Sequence, residues 1–188
     1  MLAGQRFNAP TATRLDAPQN ALPQAGLDDR GARSAPDISN MSGREQASRL
    51  FDRIMRLAED RERDSTSFAS AGKDDSLQLF AQMGIQAHML LEPRDAGVRF
   101  DMGRIAEVAG APRLARIQAD SILAGSHTHL LGLLLAAKSS RALGDTAAAR
   151  AFERRLLAAA PAEQRRALPE YQSHRNDIAV AIELAKRK

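Results

Sequence analysis

The chain contains no cysteine and no tryptophan, and it has a single tyrosine among 188 residues. The absence of cysteine excludes a disulfide framework, a catalytic thiolate and a zinc site with sulfur ligands. Aromatic residues make up 4% of the chain against 44% hydrophobic residues, so any core must be built from aliphatic side chains. Leucine and alanine at this density favour helix over strand. The composition therefore predicts an all-α protein.

Long hydrophobic runs are also missing. The longest, LLGLLLAA at residues 130–137, falls well short of the roughly 18 residues that a membrane-spanning helix needs. The opening residues, MLAGQRFNAP, lack the apolar centre of a secretory signal. We therefore expect a cytoplasmic location, or a periplasmic or membrane-associated one if an anchor precedes this sequence.

The first part of the chain has no pattern that predicts a fold. Residues 1–41 hold four of the eight prolines, and their apolar residues follow no period. Such a segment buries too little surface to offset the entropy lost on ordering. We expect a flexible tail there, followed by a folded domain over residues 42–188. The alternative is an arm that becomes ordered on a partner.

The folded part opens on a helix-capping pattern. In SGRE, Ser42 can cap the first N–H groups of a helix and Glu45 can reach back to it. Apolar residues then recur at three- and four-residue spacing, which predicts a first helix to about Asp60. The polar stretch over residues 60–75 has no such stripe and predicts a connector with a short turn at Phe68.

Turn residues divide the remaining chain into further helices. A second helix is predicted from about residue 75 to 91. Gly110 supplies a left-handed position that ends a third helix, and Pro112 suits the opening turn of a fourth. Gly144 ends a fifth, and Asp145 can cap the sixth.

These turn residues recur at a constant interval. Gly110 and Gly144 are 34 residues apart. The same step joins three further pairs: Ala115 and Ala149, Leu123 and Leu157, and Gly103 and Ala137. A helix-turn-helix unit repeated every 34 residues is the period of the tetratricopeptide repeat, and the stretch at residues 133–161 resembles that family closely.

The resemblance implies a role for each small residue of this unit. Gly144 and Asp145 resemble the turn, Ala137 and Ala149 the small residues at which the two helices meet, and Pro161 the terminal proline. The preceding unit carries a histidine at the position of the proline. In the first hairpin the long connector displaces the first helix.

The architecture that the resemblance implies is a short α-solenoid. One hairpin cannot bury its own apolar face, so about three antiparallel hairpins must stack, with a capping helix at the end. Residues 162–188 suit that cap, and we predict their helix within residues 170–186.

The sequence offers no catalytic motif. The glycines are spread singly, so they form no phosphate-binding loop, and no serine stands in a recognisable nucleophile motif. The histidines have no carboxylate cluster at metal-ligand spacing; we interpret His127 and His129 as polar residues at a helix boundary and His88 as a satisfied, partly buried side chain. The fourth is His174. We predict a non-enzymatic protein without cofactor or metal.

The resemblance also implies a concave groove that receives a peptide or helix from a partner protein. From their positions within the repeat, five residues would face this groove: Phe100, Arg104, Leu134, Lys138 and Arg141. An apolar floor flanked by cations would suit an extended segment with acidic side chains or a terminal carboxylate. Leu134 could instead be a buried core residue, because its helix is apolar on nearly all sides and such helices tend to be buried. We predict an adaptor or assembly subunit, with modest affinity or a constitutive place in a larger complex.

The excess of positive charge suggests a second function. The net charge of +4 arises in residues 150–188, which hold nine basic and five acidic groups. The alternative is a basic helical module that binds nucleic acid or an anionic membrane through this segment. A solvated helix face accounts for Arg150, Arg154 and Arg155 as well, since few aromatics lie between them for base stacking. A third class is a purely structural subunit held by its tail.

Overall fold

The protein's structure, a computed structural model, describes residues 40–64 and 71–187. Within these ranges the chain forms helices and no strand, which confirms the predicted all-α class. The helices there are α1 (Gly43–Asp64), α2 (Ala71–Met89), α3 (Ala96–Val108), α4 (Pro112–Gly125), α5 (Leu130–Ala142), α6 (Thr146–Gln164), α7 (Pro169–Ser173) and α8 (Arg175–Lys186). All but the last two residues of the predicted tail, and the turn predicted at Phe68, lie outside the described residues.

The first helix begins as the capping pattern predicts. The Ser42 N–H donates to the Glu45 carboxylate at 2.8 Å, and the Glu45 N–H donates to the Ser42 hydroxyl at 3.3 Å. The bond from the Ser42 N–H, together with one from the Ser42 hydroxyl to the same carboxylate at 2.8 Å, lowers the pKa of Glu45. Two N–H groups that the helix leaves without an internal partner are satisfied in this way.

The predicted connector is wrong in extent. Helix α1 continues to Asp64 and α2 already begins at Ala71. Charged side chains at helical spacing account for part of the difference: Arg63 lies 3.4 Å from both Glu59 and Asp60. Pairs at three- and four-residue spacing stabilise a helix that has no apolar stripe.

The turns that follow α3 and α5 have the same geometry. Gly110 and Gly144 adopt φ angles of +66° and +84°, a left-handed conformation that glycine enters without a steric penalty. In each turn the glycine N–H donates to the carbonyl three residues back at 3.0 Å. The next N–H donates to the carbonyl five residues back at 2.8 or 2.9 Å. This pair of bonds satisfies the last carbonyls of the preceding helix.

The helix boundaries around these turns follow the predicted interval. Helices α3 and α5 begin at Ala96 and Leu130, and α4 and α6 begin at Pro112 and Thr146. Each pair of starts is 34 residues apart. The Asp145 carboxylate caps α6 by accepting from the Ala148 N–H at 2.9 Å.

The C-terminal part differs from the prediction in two places. Helix α6 runs through Pro161 to Gln164 instead of ending at the proline. Its final turn is held by the Glu163 carboxylate, to which the Thr128 hydroxyl donates at 2.8 Å. The predicted last helix is broken at His174 into α7 and α8.

Each helix from α1 to α6 packs against the next, and α7 packs against α8. In addition, α1 contacts α3, α3 contacts α5, and α8 contacts α5 and α6. A large core lies among α3–α6 and α8, with Leu131, Leu133 and Leu156 at its centre. A smaller one joins α1, α2 and α3 around Ile54 and Ile105. Both are mainly aliphatic, as the scarcity of aromatics predicts.

Close approach of α3 and α5 depends on Gly103, and we expect a side chain there to destabilise the fold. A Cβ atom at this position would lie 2.2 Å from Cδ2 of Leu135, which is itself fully buried. Gly103→Ala should lower the free energy of unfolding by about 1–3 kcal/mol through overpacking. Gly125→Ala is the control, since nothing lies within 4 Å of its added Cβ. Urea unfolding of both variants checks this, and equal stability of the two would contradict it.

Candidate functional site

A groove of about 1020 Å³ is the main concave feature of the described residues. Helices α1, α3, α5 and α8 lie in a row, each in contact with the next, and all four contribute to its lining. The inner helices α3 and α5 thus form the floor, and the outer helices α1 and α8 form the sides.

Apolar side chains line both sides of the groove. Phe51 and Met55 come from α1, and Val180 and Leu184 come from α8. The α8 pair is 58% and 49% exposed, although large apolar side chains of this size are usually buried. The groove therefore offers apolar surface that the chain itself leaves uncovered.

Four of the five residues predicted to face the groove line it: Arg104, Leu134, Lys138 and Arg141. Leu134 is only 2% exposed, so it serves mainly as core. The expectation for Phe100 is corrected, because this ring is fully buried and packs against His174. Burial follows from the C-terminal segment, which covers α3 at this point.

The three predicted cations line the groove, but each of them is paired. Arg104 lies 3.3 Å from Glu107 and 3.7 Å from Asp177. Lys138 lies 3.0 Å from the same glutamate, and Arg141 pairs with a glutamate of α6. Each cation thus already has a carboxylate partner within the chain, which leaves less charge to recognise an acidic ligand.

His174 connects the start of α8 to α1 and α3. Its ring meets the Phe100 ring edge-on at 4.6 Å between centroids, and the Phe51 ring at 6.0 Å. Its Nε2 lies 3.2 Å from Oδ1 of Asp101, and its Nδ1 lies 3.7 Å from Oδ2 of Asp177. The contact with Asp101 is an ion pair rather than a well-aligned hydrogen bond. One side chain therefore joins three helices beneath the groove.

The charged forms of His174, Asp101 and Asp177 stabilise one another. Burial would lower the pKa of His174, but the carboxylates of Asp101 and Asp177 outweigh burial and raise the pKa to about 9. Burial would raise the pKa values of both carboxyl groups, yet His174 and nearby cations hold them below the usual value. The imidazole is therefore a cation at neutral pH, and both carboxylates are ionised.

His88 closes the cluster from the side of α2. Its Nδ1 donates to the carbonyl oxygen of Gly84 at 2.8 Å, and its Nε2 lies 3.5 Å from Oδ2 of Asp101. The His88 side chain is 1% exposed, while Asp101, His174 and Asp177 line the groove. The cluster is held together by its own ion pairs. We interpret it as an anchor of the C-terminal segment.

A second anchor holds α7, and the sequence analysis missed it. The Tyr171 hydroxyl donates to Glu163 at 2.8 Å and accepts from the Leu130 N–H at 3.0 Å. Burial raises the pKa of Tyr171, and hydrogen bonds from Tyr171, Thr128 and Arg166 overcome burial to lower the pKa of Glu163. The sequence does contain a signal for this anchor. Its one tyrosine comes after the last predicted repeat, and a tyrosine that is buried there needs a hydrogen-bond partner for its hydroxyl.

Comparison with known proteins gave no match, whether to a family, a curated protein or a solved structure. The resemblance to the tetratricopeptide family thus rests on the sequence pattern. No helix in the described ranges combines the length and apolar character of a membrane span. In the same ranges no group of three metal-ligating side chains converges.

The raised pKa of His174 predicts a loss of stability in alkaline solution. Because its pKa rises from 6.5 to about 9 on folding, the imidazolium stabilises the fold fully below pH 6.5, and this stabilisation is lost as the pH rises through 9. At pH 7 it corresponds to roughly 2–3 kcal/mol. We expect wild-type protein to lose about this much more stability between pH 7 and pH 10 than His174→Gln does.

Urea unfolding at the two pH values measures this difference. His127→Gln is the matched control, because His127 is exposed, in the turn between α4 and α5. It should behave as the wild type does. An equal loss in wild type and His174→Gln would contradict the assignment of the alkaline effect to His174.

Proposed function

We propose that the protein is a non-enzymatic adaptor or assembly subunit that holds a segment of a partner protein in the groove. The observation that carries this proposal is the uncovered apolar surface on both sides of the groove. Val180 is 58% exposed and Leu184 49% exposed, and both line it. Contiguous exposed apolar surface in a concave site is typical of a surface that binds another molecule.

The helix order supports a short solenoid of the tetratricopeptide type. Helices α1, α3 and α5 lie side by side, as the first helices of stacked hairpins would. The turns at Gly110 and Gly144 have matching hydrogen bonds. In such arrays the first helices line the concave face; here α1, α3 and α5 all line the groove.

The buried polar groups favour binding over catalysis. The Asp101 cluster and the Tyr171 pair each connect helices, and their titratable groups are bound to one another. A catalytic group needs access to its substrate; His88 is almost fully buried, and Asp101, which lines the groove, is already paired with both histidines. We therefore assign these groups to the support of the groove.

Photo-crosslinking tests the proposal. A photoreactive phenylalanine analogue at Val180 should form adducts with a partner protein in cells that express the chain. The same analogue at Ile117 is the control, because Ile117 has the same 58% exposure and lies outside the groove. Mass spectrometry should show at least a fivefold enrichment of one partner at position 180 over position 117.

Equal adducts at the two positions would contradict binding in the groove. Adducts with nucleic acid that disappear between about 50 and 200 mM salt would instead support the basic module, because phosphate contacts weaken steeply with salt.

A further inference from the structure

The side of the groove formed by α1 carries two carboxylates. Asp52 and Glu59 both line the groove; they are seven residues apart, which places them on one side of the helix. No cation of the described residues lies within ion-pair distance of Asp52, which is exposed. Among the described residues Glu59 pairs with the exposed Arg63, 3.4 Å away.

The positive charges of the groove are compensated. The lining contains four Lys or Arg residues: Arg44, Arg104, Lys138 and Arg141. Arg44 lies 3.0 Å from Asp95, and the other three pair with the glutamates and the aspartate described above. His174 lies between two carboxylates. The charge left for a ligand is therefore negative, on the side formed by α1.

The apolar surface has the spacing of a helix-packing surface. Phe51 and Met55 are four residues apart on α1, and Val180 and Leu184 are four apart on α8. Rows at this spacing form ridges into which another helix fits. From Arg44 to Glu59 the lining runs about 22 Å along α1, at about 1.5 Å per residue. This length accommodates about four turns of a bound helix.

We propose that the occupant of the groove is a cationic amphipathic helix of a partner protein. Its apolar face would lie against Phe51, Met55, Val180 and Leu184, and its Lys or Arg side chains would meet Asp52 and Glu59. This inference rests on the proposed function and names the chemistry of the partner. It replaces the acidic segment that the sequence analysis predicts.

Designed peptides test the proposal on the full chain. A fluorescent 16-residue helix of Leu and Lys is compared with a Leu and Glu helix that has the same apolar face. A third peptide has the Leu and Lys composition but scrambled order, and a fourth carries a central proline that breaks the helix. Fluorescence anisotropy should show the Leu and Lys helix binding at least tenfold more tightly than each of the other three.

Variants then locate the site. The double variant Asp52→Asn, Glu59→Gln should weaken binding of the Leu and Lys helix about fivefold, because the two carboxylates on the α1 side of the groove no longer attract the lysines. Val180→Ser with Leu184→Ser should weaken it at least fivefold. Asp120→Asn and Ile117→Ser are the matched controls, since both residues are exposed on α4 outside the groove, and neither should change the affinity.

Several outcomes would overturn the inference. These are equal or tighter binding of the Leu and Glu helix, equal binding of the scrambled or proline peptide, no binding of any peptide, or an unchanged affinity of the Asp52 and Glu59 variant. Adducts at Val180 in the crosslinking experiment would still support the groove in each case. Their absence would remove the proposed function itself, so the two failures are distinguishable.

Discussion

The ion pair between His174 and Asp101 helps to hold the α8 side of the groove against its floor. Asp101 lies on the floor helix α3, and His174 stands at the break between α7 and α8, 3.2 Å away. The same imidazole packs against Phe51 of α1. Arg104 and Asp177 form a second link between α3 and α8, 3.7 Å apart. Charge pairing in a buried setting thus fixes the distance between surfaces that are themselves apolar.

The aliphatic composition explains why such polar anchors are needed. Leucine and alanine faces pack well but specify relative position weakly, because many registers bury similar area. Hydrogen bonds and ion pairs have defined geometry, and a buried group left without its partner costs about 1–3 kcal/mol. Tyr171 and His174 fix the position of the C-terminal segment in this way. The anchors therefore specify an arrangement that the aliphatic core stabilises.

Local patterns in the sequence predict the parts of the fold that local physics decides. The SGRE cap, the left-handed glycines at 110 and 144 and the Asp145 cap depend on neighbouring residues, and the structure has them as predicted. The groove charges depend on contacts between distant residues. Besides Glu107, Arg104 has a second partner in Asp177, 73 positions later in the chain, and no periodicity reveals such a pairing. Phe100 was misplaced for the same reason, since the segment that covers it lies far away in sequence.

The division of the core has a consequence for motion. The α1–α2 hairpin is held by a small cluster around Ile54 and Ile105, whereas α3–α6 and α8 share a much larger one. Sub-global opening starts where fewest apolar groups are buried, so the first hairpin should exchange its amide hydrogens faster than the rest. Because α1 of this hairpin forms one side of the groove, a bound ligand would slow the exchange of these amide hydrogens. The ligand's apparent affinity would be lowered in proportion to the fraction of molecules in which the hairpin is open.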